Sequence, residues 1–100
     1  MPRSGARALL LLLLEFAGGA GEDEEQDLKT LRALRKVFGS DVKIMVDANG
    51  AYDPTTAIKI GRHLEELDIF WFEEPVTPED VDGMARVREN ISIYLAAGEC

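Results

Sequence analysis

Three acidic side chains stand at or just past the ends of apolar runs, at equal intervals along the chain. Asp47, Glu73 and Glu99 are each 26 residues from the next. If the runs are neighbouring parallel strands, their carboxyl ends lie along one edge of the sheet, and the three carboxylates converge there. Unpaired carboxylates brought so close would repel one another. A hard divalent cation relieves that repulsion by taking an oxygen from each acid, so the pattern predicts a Mg²⁺ site.

A structural role for these acids is the alternative, because a strand-terminal acid often caps the helix that follows. Here other side chains are placed to cap. Asp47 lies six residues before Asp53, and Glu73 lies four residues before Thr77. Both Asp53 and Thr77 are of the types preferred at a helix N-cap, which favours the metal site for the two acids.

Four apolar runs alternate with amphipathic segments, which predicts the order βαβαβαβ within the α/β class. The runs span residues 9–16, 42–46, 69–72 and 91–97. Strands joined by single helices are parallel and connected by right-handed crossovers. Because the runs are almost continuously apolar, we expect a sheet covered by helices, with strands buried on both faces.

The helical segments carry start and stop signals. The first ends at Gly39, the second begins at Asp53-Pro54 as N-cap and first helical residue, and the third opens with Thr77-Pro78-Glu79-Asp80, which resembles a capping box. Apolar residues at helical spacing predict the buried faces, namely Leu28, Leu31, Leu34 and Phe38 in the first helix, Ala57, Ile58, Ile60, Leu64 and Leu67 in the second, and Val81, Met84, Ala85 and Val87 in the third.

Composition narrows the class of protein. The chain has 100 residues, 46% of them hydrophobic and 30% charged, as is typical of a soluble globular protein. A net charge of −8 argues against binding to nucleic acid. Cys100 is the single cysteine, so one chain can form neither a disulfide nor a thiolate zinc site. We expect a cytoplasmic protein that does not bind membranes.

The first twenty residues admit two interpretations. Arg3 and Arg7 followed by the leucine run 9–14 look like a secretory signal, with Gly18-Gly19-Ala20 as a cleavage site. The run is short for that purpose, Glu15 interrupts the approach to the cleavage site, and the segment is too short to span a bilayer. We favour a buried strand, with the signal peptide as the alternative.

The segments MVDANGAYD, FWFEEP and AAGE, in this order and at these intervals, resemble the metal-binding strands of the enolase superfamily. The resemblance is to the mandelate racemase and muconate lactonizing enzyme family, in its sugar-acid (galactonate-type) dehydratase branch. It covers about residues 24–100. We therefore divide the chain into a divergent N-terminal segment, 1–22, and a partial barrel domain, 23–100.

This resemblance implies about three and a half units of a TIM (β/α)₈ barrel, with the active site at the carboxyl ends of the strands. It implies that one Mg²⁺ is bound by three acids, Asp47, Glu73 and Glu99. It also implies that Asn49 contacts substrate and that Glu74, without binding the metal itself, orients a metal ligand or a nearby base. The implied chemistry is removal of the proton α to a carboxylate, through an enediolate stabilised by the metal, and then dehydration. The implied substrate is a small sugar acid, and a homo-oligomer is compatible with this family.

The chain departs from the family pattern at the general base. Leu13 and Glu15 stand where the family carries a Lys-x-Lys pair. Leucine cannot take a proton, and glutamate would add a fourth negative charge beside the metal, so the lysine base of the family is missing. The family's paired histidine and aspartate would lie beyond Cys100, and His63 sits within a helical segment. We therefore assign no catalytic residue and expect a fragment that is inactive alone. Whether the chain itself is an enzyme stays open.

Three alternatives stand beside the dehydratase fragment. One is a racemase or cycloisomerase of the same family. Another is a non-catalytic half-barrel that pairs with a second chain, in an interaction or regulatory role. The third is a doubly wound, receiver-like Mg²⁺-binding domain.

Since a complete barrel takes about 250 residues, a partial one has two unpaired sheet edges and is expected to be marginally stable alone.

Overall fold

The computed structural model describes residues 11–16 and 22–96 and contains four strands and three helices in strict alternation. They are β1 (Leu11–Glu15), α1 (Glu22–Phe38), β2 (Lys43–Asp47), α2 (Pro54–Glu66), β3 (Trp71–Glu73), α3 (Val81–Asn90) and β4 (Tyr94–Ala96). This order confirms the predicted βαβαβαβ pattern. The later strands are shorter than their apolar runs: Ile69 and Phe70 precede β3, and residues 91–93 precede β4.

The strands form one parallel sheet in the order β1-β2-β3-β4. Each strand therefore pairs with the next one along the chain, as in a barrel. A doubly wound domain instead reverses its strand order at a switch point. The receiver-like interpretation is wrong for this reason.

The helices pack against one face of the sheet, which is the face that carries Ile44, Val46 and Phe72. All three side chains are fully buried, and they belong to one apolar cluster with residues from each helix. The opposite face is open: Leu13 is 52% exposed and Tyr94 is 68% exposed. The prediction that strands are buried on both faces is wrong, because no described element covers this second face.

Helix α2 begins as predicted, whereas the start of α3 differs. Asp53 caps α2 by accepting a hydrogen bond from Thr56 N at 2.7 Å, and Pro54 is the first helical residue. The cap of α3 is Asp80, whose Oδ1 accepts from Gly83 N at 2.8 Å. Thr77 lies three residues earlier, and its carbonyl accepts a hydrogen bond from Asp80 N at 3.0 Å. The capping-box prediction for Thr77 is therefore wrong.

The buried faces of the helices are narrower than predicted. Leu28 and Leu31 are buried, but Leu34 is half-buried and Phe38 is 42% exposed at the end of α1. The predicted buried face of α2 is buried, whereas Leu67, which was predicted to belong to it, follows the helix and is half-buried. In α3 only Met84 and Val87 of the predicted set are buried, since Val81 and Ala85 are exposed.

Arg35 links the ends of two helices. Its guanidinium donates to the carbonyls of Gly39 and Val42, both at 2.8 Å, just after α1. It also donates to the carbonyls of Leu67 at 2.9 Å and Asp68 at 3.0 Å, at the end of α2. A cation at a helix C-terminus satisfies carbonyls that have no partner within the helix and opposes the negative end of the helix dipole.

No helix among residues 22–96 is long and apolar enough to cross a membrane.

Candidate metal centre

Asp47 and Glu73 are neighbours across the sheet. Each is the last residue of its strand, the two are in register, and both are half-buried. In-register residues point to the same face, and this face is the open one, because the adjacent Val46 and Phe72 point to the helices. The structure thus brings two of the three predicted ligands together at the carboxyl edge of the sheet.

The two carboxylates are held by local contacts. Asp47 Oδ1 accepts a hydrogen bond from the backbone N of Asn49 at 2.9 Å. Glu73 Oε1 lies 3.4 Å from the indole nitrogen of Trp71, two residues earlier on the same face. Each contact engages one oxygen of its carboxylate. A hard cation binds such oxygen donors, so this pair fits Mg²⁺ chemically.

The loops after β2 and β3 are joined through their backbones. Gly50 N donates to Glu74 O at 2.7 Å, and Tyr52 N donates to Pro75 O at 3.1 Å. Gly50 has φ +72°, and a Cβ there would lie 3.3 Å from Thr77 Cα. A side chain at position 50 is therefore disfavoured both by the left-handed backbone and by the close approach of the second loop. These contacts fix the backbone around the two acids.

Asn49 and Glu74 both have left-handed backbones. Their φ angles are 54° and 48°, which is uncommon for residues other than glycine. Asn49 is exposed beside Asp47, while Glu74 is half-buried and donates its N–H to Ala96 O at 2.8 Å. Both therefore flank the acidic pair, in the loops where substrate contact and support of a ligand are predicted.

Glu99, the third predicted ligand, lies outside the described residues. Ala96 is the β4 residue in register with Glu73, so Glu99 comes three positions later than the Asp47–Glu73 row. The equal spacing of the three acids in the sequence therefore does not correspond to one row of residues in register across the sheet. Among residues 11–16 and 22–96, no three acidic, histidine or cysteine side chains are grouped so as to hold a metal ion.

The positions predicted for the missing base lie beside the acidic pair. Leu13 is in register with Met45, and Glu15 is in register with Asp47. A lysine at position 15 would stand next to Asp47, but glutamate extends the acidic row instead. His63 is remote from this edge, since it is half-buried in α2 with Nδ1 3.7 Å from Glu66 Oε1.

Tyr52 is a buried residue near the site whose environment was not foreseen from the sequence. It is 5% exposed, and its hydroxyl has no hydrogen-bond partner among residues 11–16 and 22–96. Burial raises the pKa of Tyr52, and the negative charges of Asp27 and Glu24 on α1 add to the rise. The phenol is therefore kept neutral in the folded protein. The sequence carried no signal for this contact, because α1 and the loop after β2 meet only in three dimensions.

Tyr52→Phe is expected to raise the free energy of unfolding by about 1 kcal/mol at neutral pH, since it removes a buried hydroxyl that lacks a partner. The raised pKa adds a pH effect. An unfolded tyrosine ionises near pH 10 and the folded one does not, so wild-type stability falls above about pH 10 by up to about 1.4 kcal/mol per pH unit. Thermal melts from pH 7 to 11 should show a shallower alkaline fall in Tyr52→Phe. Tyr94→Phe, at an exposed tyrosine, is the control, and an equal change there would contradict this account.

Comparison with known proteins identifies the family. The model described as "Enolase C-terminal domain-like" matches residues 13–100. The D-galactarolactone cycloisomerase of Agrobacterium fabrum (strain C58 / ATCC 33970) is 45% identical over 75 residues, which are 75% of this chain and 20% of that protein. The arabinonate dehydratase of Saccharolobus solfataricus (strain ATCC 35092 / DSM 1617 / JCM 11322 / P2) is 44% identical over 75 residues, again 75% and 20% of the two chains. The chain thus spans about a fifth of the length of these relatives.

Solved structures agree in fold. The 3,6-anhydro-D-galactonate cycloisomerase from Zobellia galactanivorans superposes with a TM-score of 0.80 at 44% identity, covering 90% of this chain and 24% of that one. An enolase from Bradyrhizobium, complexed with magnesium and mandelic acid, gives 0.79 at 35% identity, covering 89% and 24%. The predicted fold, part of a (β/α)₈ barrel, and the resemblance to the enolase superfamily are confirmed. Because the family model covers nearly all of its length, this chain belongs to the Enolase C-terminal domain-like family.

Proposed function

We propose that this chain supplies the metal-binding edge of an enzyme that removes the proton α to the carboxylate of a small sugar acid. The observation that carries the proposal is the in-register pair of Asp47 and Glu73, on the open face at the carboxyl ends of β2 and β3. Relatives named as a galactarolactone cycloisomerase and an arabinonate dehydratase support a sugar-acid substrate. The Bradyrhizobium relative complexed with magnesium supports Mg²⁺ as the cation.

In this proposal the predicted site residues divide into metal ligands, a substrate contact and a supporting residue. Asp47 and Glu73 bind Mg²⁺ together with Glu99, and the N–H of Asn49 fixes the orientation of the Asp47 carboxylate. The Asn49 side chain contacts substrate from the exposed rim of the loop, and Glu74 supports a ligand from its half-buried position. When bound, Mg²⁺ supplies positive charge that stabilises the negative charge developing on the substrate as its α-proton leaves.

We propose that the part of the chain that the structure describes does not supply the base. Among residues 11–16 and 22–96, the carboxyl ends of the strands carry neither a lysine nor a histidine, and Glu15 adds a further negative charge beside Asp47. A general base must lie within hydrogen-bonding reach of the proton it takes. We therefore propose that the chain binds metal without turnover when alone, and that dehydration or cycloisomerisation belongs to a full-length relative that has the base.

A non-catalytic half-barrel that pairs with another chain is the second candidate. The observation that favours it is the open sheet face, where Leu11 is 49% exposed and Leu13 is 52% exposed on the terminal strand β1. An apolar sheet face next to a strand edge readily associates with another chain. A stoichiometric oligomer in which metal has no effect would favour this role over the first.

Metal titration tests the proposal. Millimolar Mg²⁺ is expected to raise the melting temperature, because a ligand that binds only the folded state stabilises it. Tb³⁺ provides a second readout, since the Trp71 indole lies 3.4 Å from Glu73 and can sensitise its luminescence. Asp47→Asn and Glu73→Gln are each expected to weaken Tb³⁺ binding by about tenfold or more, in line with the loss of one charged ligand.

Glu89→Gln is the matched control for these variants, because it removes one exposed carboxylate from α3, away from the edge. It should leave both readouts unchanged. If Mg²⁺ produces no thermal shift, or if Glu89→Gln weakens Tb³⁺ as much as Asp47→Asn does, the metal site is not formed at this edge.

A further inference from the structure

A groove of about 360 Å³ lies between α2 and α3, and cationic side chains line it. Its lining residues are Thr55, Ile58, Lys59, Arg62, Arg86 and Asn90. On α2, positions 55, 59 and 62 recur at helical spacing and so form one stripe, while positions 86 and 90 form the facing wall on α3. The groove belongs to the helical layer, whereas the candidate metal centre lies on the open face of the sheet.

The charge in this groove is opposite to that of the chain as a whole. The chain carries 19 acidic and 11 basic residues, and three of the basic ones line this groove. Within residues 22–96, Arg62 makes no hydrogen bond or ion pair. Arg86 donates to the neutral Thr55 hydroxyl at 3.0 Å, and Lys59 is 3.4 Å from Glu24. Within the part of the chain that the structure describes, these two guanidinium groups therefore have no direct carboxylate partner.

Two of the nearby acids are engaged elsewhere. Asp53 caps α2, and its lowered pKa comes first from the hydrogen bonds of Thr56, with Arg86 a smaller cause. The Glu65 carboxylate accepts a hydrogen bond from Ser92 N at 2.6 Å, two residues after the end of α3. Both carboxylates thus accept hydrogen bonds from backbone donors and not from Arg62 or Arg86.

The two walls are held at a fixed spacing. A Cβ at Gly61 would lie 2.8 Å from Ile91 Cδ1 and 2.9 Å from its Cγ2, so α2 and the end of α3 are in close contact there. Asn90 Nδ2 donates to Arg86 O at 2.8 Å, which secures the last turn of α3. A preformed groove loses little conformational entropy when it binds a ligand.

We propose that this groove binds a small molecule carrying a phosphate group. Guanidinium groups donate paired hydrogen bonds that match phosphate oxygens, and two of them face one groove here. The Thr55 hydroxyl accepts from Arg86, so its own hydrogen is free to donate to the same phosphate. Ile58 provides an apolar surface for the organic part of the ligand. The size of the groove suits a small ligand.

Titration of the full chain with inorganic phosphate, at ionic strength held constant with chloride, tests this proposal by amide NMR. We expect saturable shifts at Thr55, Arg62 and Arg86. Arg62→Gln and Arg86→Gln should each weaken phosphate binding at least fivefold. Arg88→Gln is the matched control, since it removes an exposed arginine from α3 outside the groove, and it should leave binding unchanged.

Several results would overturn the proposal. They are the absence of saturable shifts, equal shifts with chloride or acetate at matched concentration, and an equal loss of binding in Arg88→Gln. Unchanged amide spectra away from the groove establish that Arg62→Gln and Arg86→Gln remain folded. Asp47→Asn should bind phosphate normally, so failure of this proposal is distinguishable from failure of the metal site.

Discussion

Arg35→Ala is expected to lower the free energy of unfolding by about 3 kcal/mol. Four carbonyls lose the guanidinium, two of them at the end of α2 and two between α1 and β2. The bonds to Leu67 O and Val42 O are partly buried, and each charge-assisted bond of this kind contributes about 1.5 kcal/mol or more. The two exposed bonds can be replaced by water. Urea unfolding followed by circular dichroism measures the loss.

Two further variants separate the geometry of Arg35 from its charge. Arg35→Lys keeps the charge but lacks the planar group that reaches both helix ends, so it should recover only part of the loss. Arg32→Ala removes an exposed arginine one turn earlier in α1 and should change stability by less than about 0.5 kcal/mol. Full recovery in Arg35→Lys would show that charge alone matters, contrary to this account.

Phe72→Ala is expected to be the most destabilising change, at about 3–5 kcal/mol. Phe72 is fully buried in the middle of β3, where it is in register with Val46 on one side and Leu95 on the other. Its removal leaves a cavity in the apolar cluster, at a strand of only three residues. A domain of this size has a total stability on the order of 5–15 kcal/mol, so much of the cooperative transition should be lost.

The consequence of Phe72→Ala extends to the candidate metal centre, because Glu73 is the next residue of β3. Loss of strand pairing would release this acid from its place beside Asp47, so the Mg²⁺ thermal shift should disappear with the fold. Tyr94→Ala is the control, since it removes an aromatic ring that is 68% exposed on the neighbouring strand. If Tyr94→Ala costs as much as Phe72→Ala, the core is not organised as described.

Predictions from local sequence signals were confirmed where the feature depends only on neighbouring residues of the same segment. The N-cap at Asp53 and the first helical residue Pro54 need only the following turn, and both are confirmed. Thr77 and Asp80 compete for the start of α3, and sequence alone favoured the wrong one. Asp80 N donates to Thr77 O in a backbone turn that precedes the helix, so α3 is capped by Asp80 rather than by Thr77. This turn depends on the path of the chain after β3.

The sequence by itself determined the family, the order of strands and helices, and the types of side chain at the strand ends. These follow from residue identity and from the periods of 2 and 3.6 residues, which require no partner segment. Tertiary structure decided the rest. The register of the strands places Glu73 opposite Asp47. The residue of β4 opposite Glu73 is Ala96 rather than Glu99. The side of the sheet that the helices cover, and the carbonyls that Arg35 reaches, likewise depend on contacts between residues distant in sequence, which no local pattern encodes.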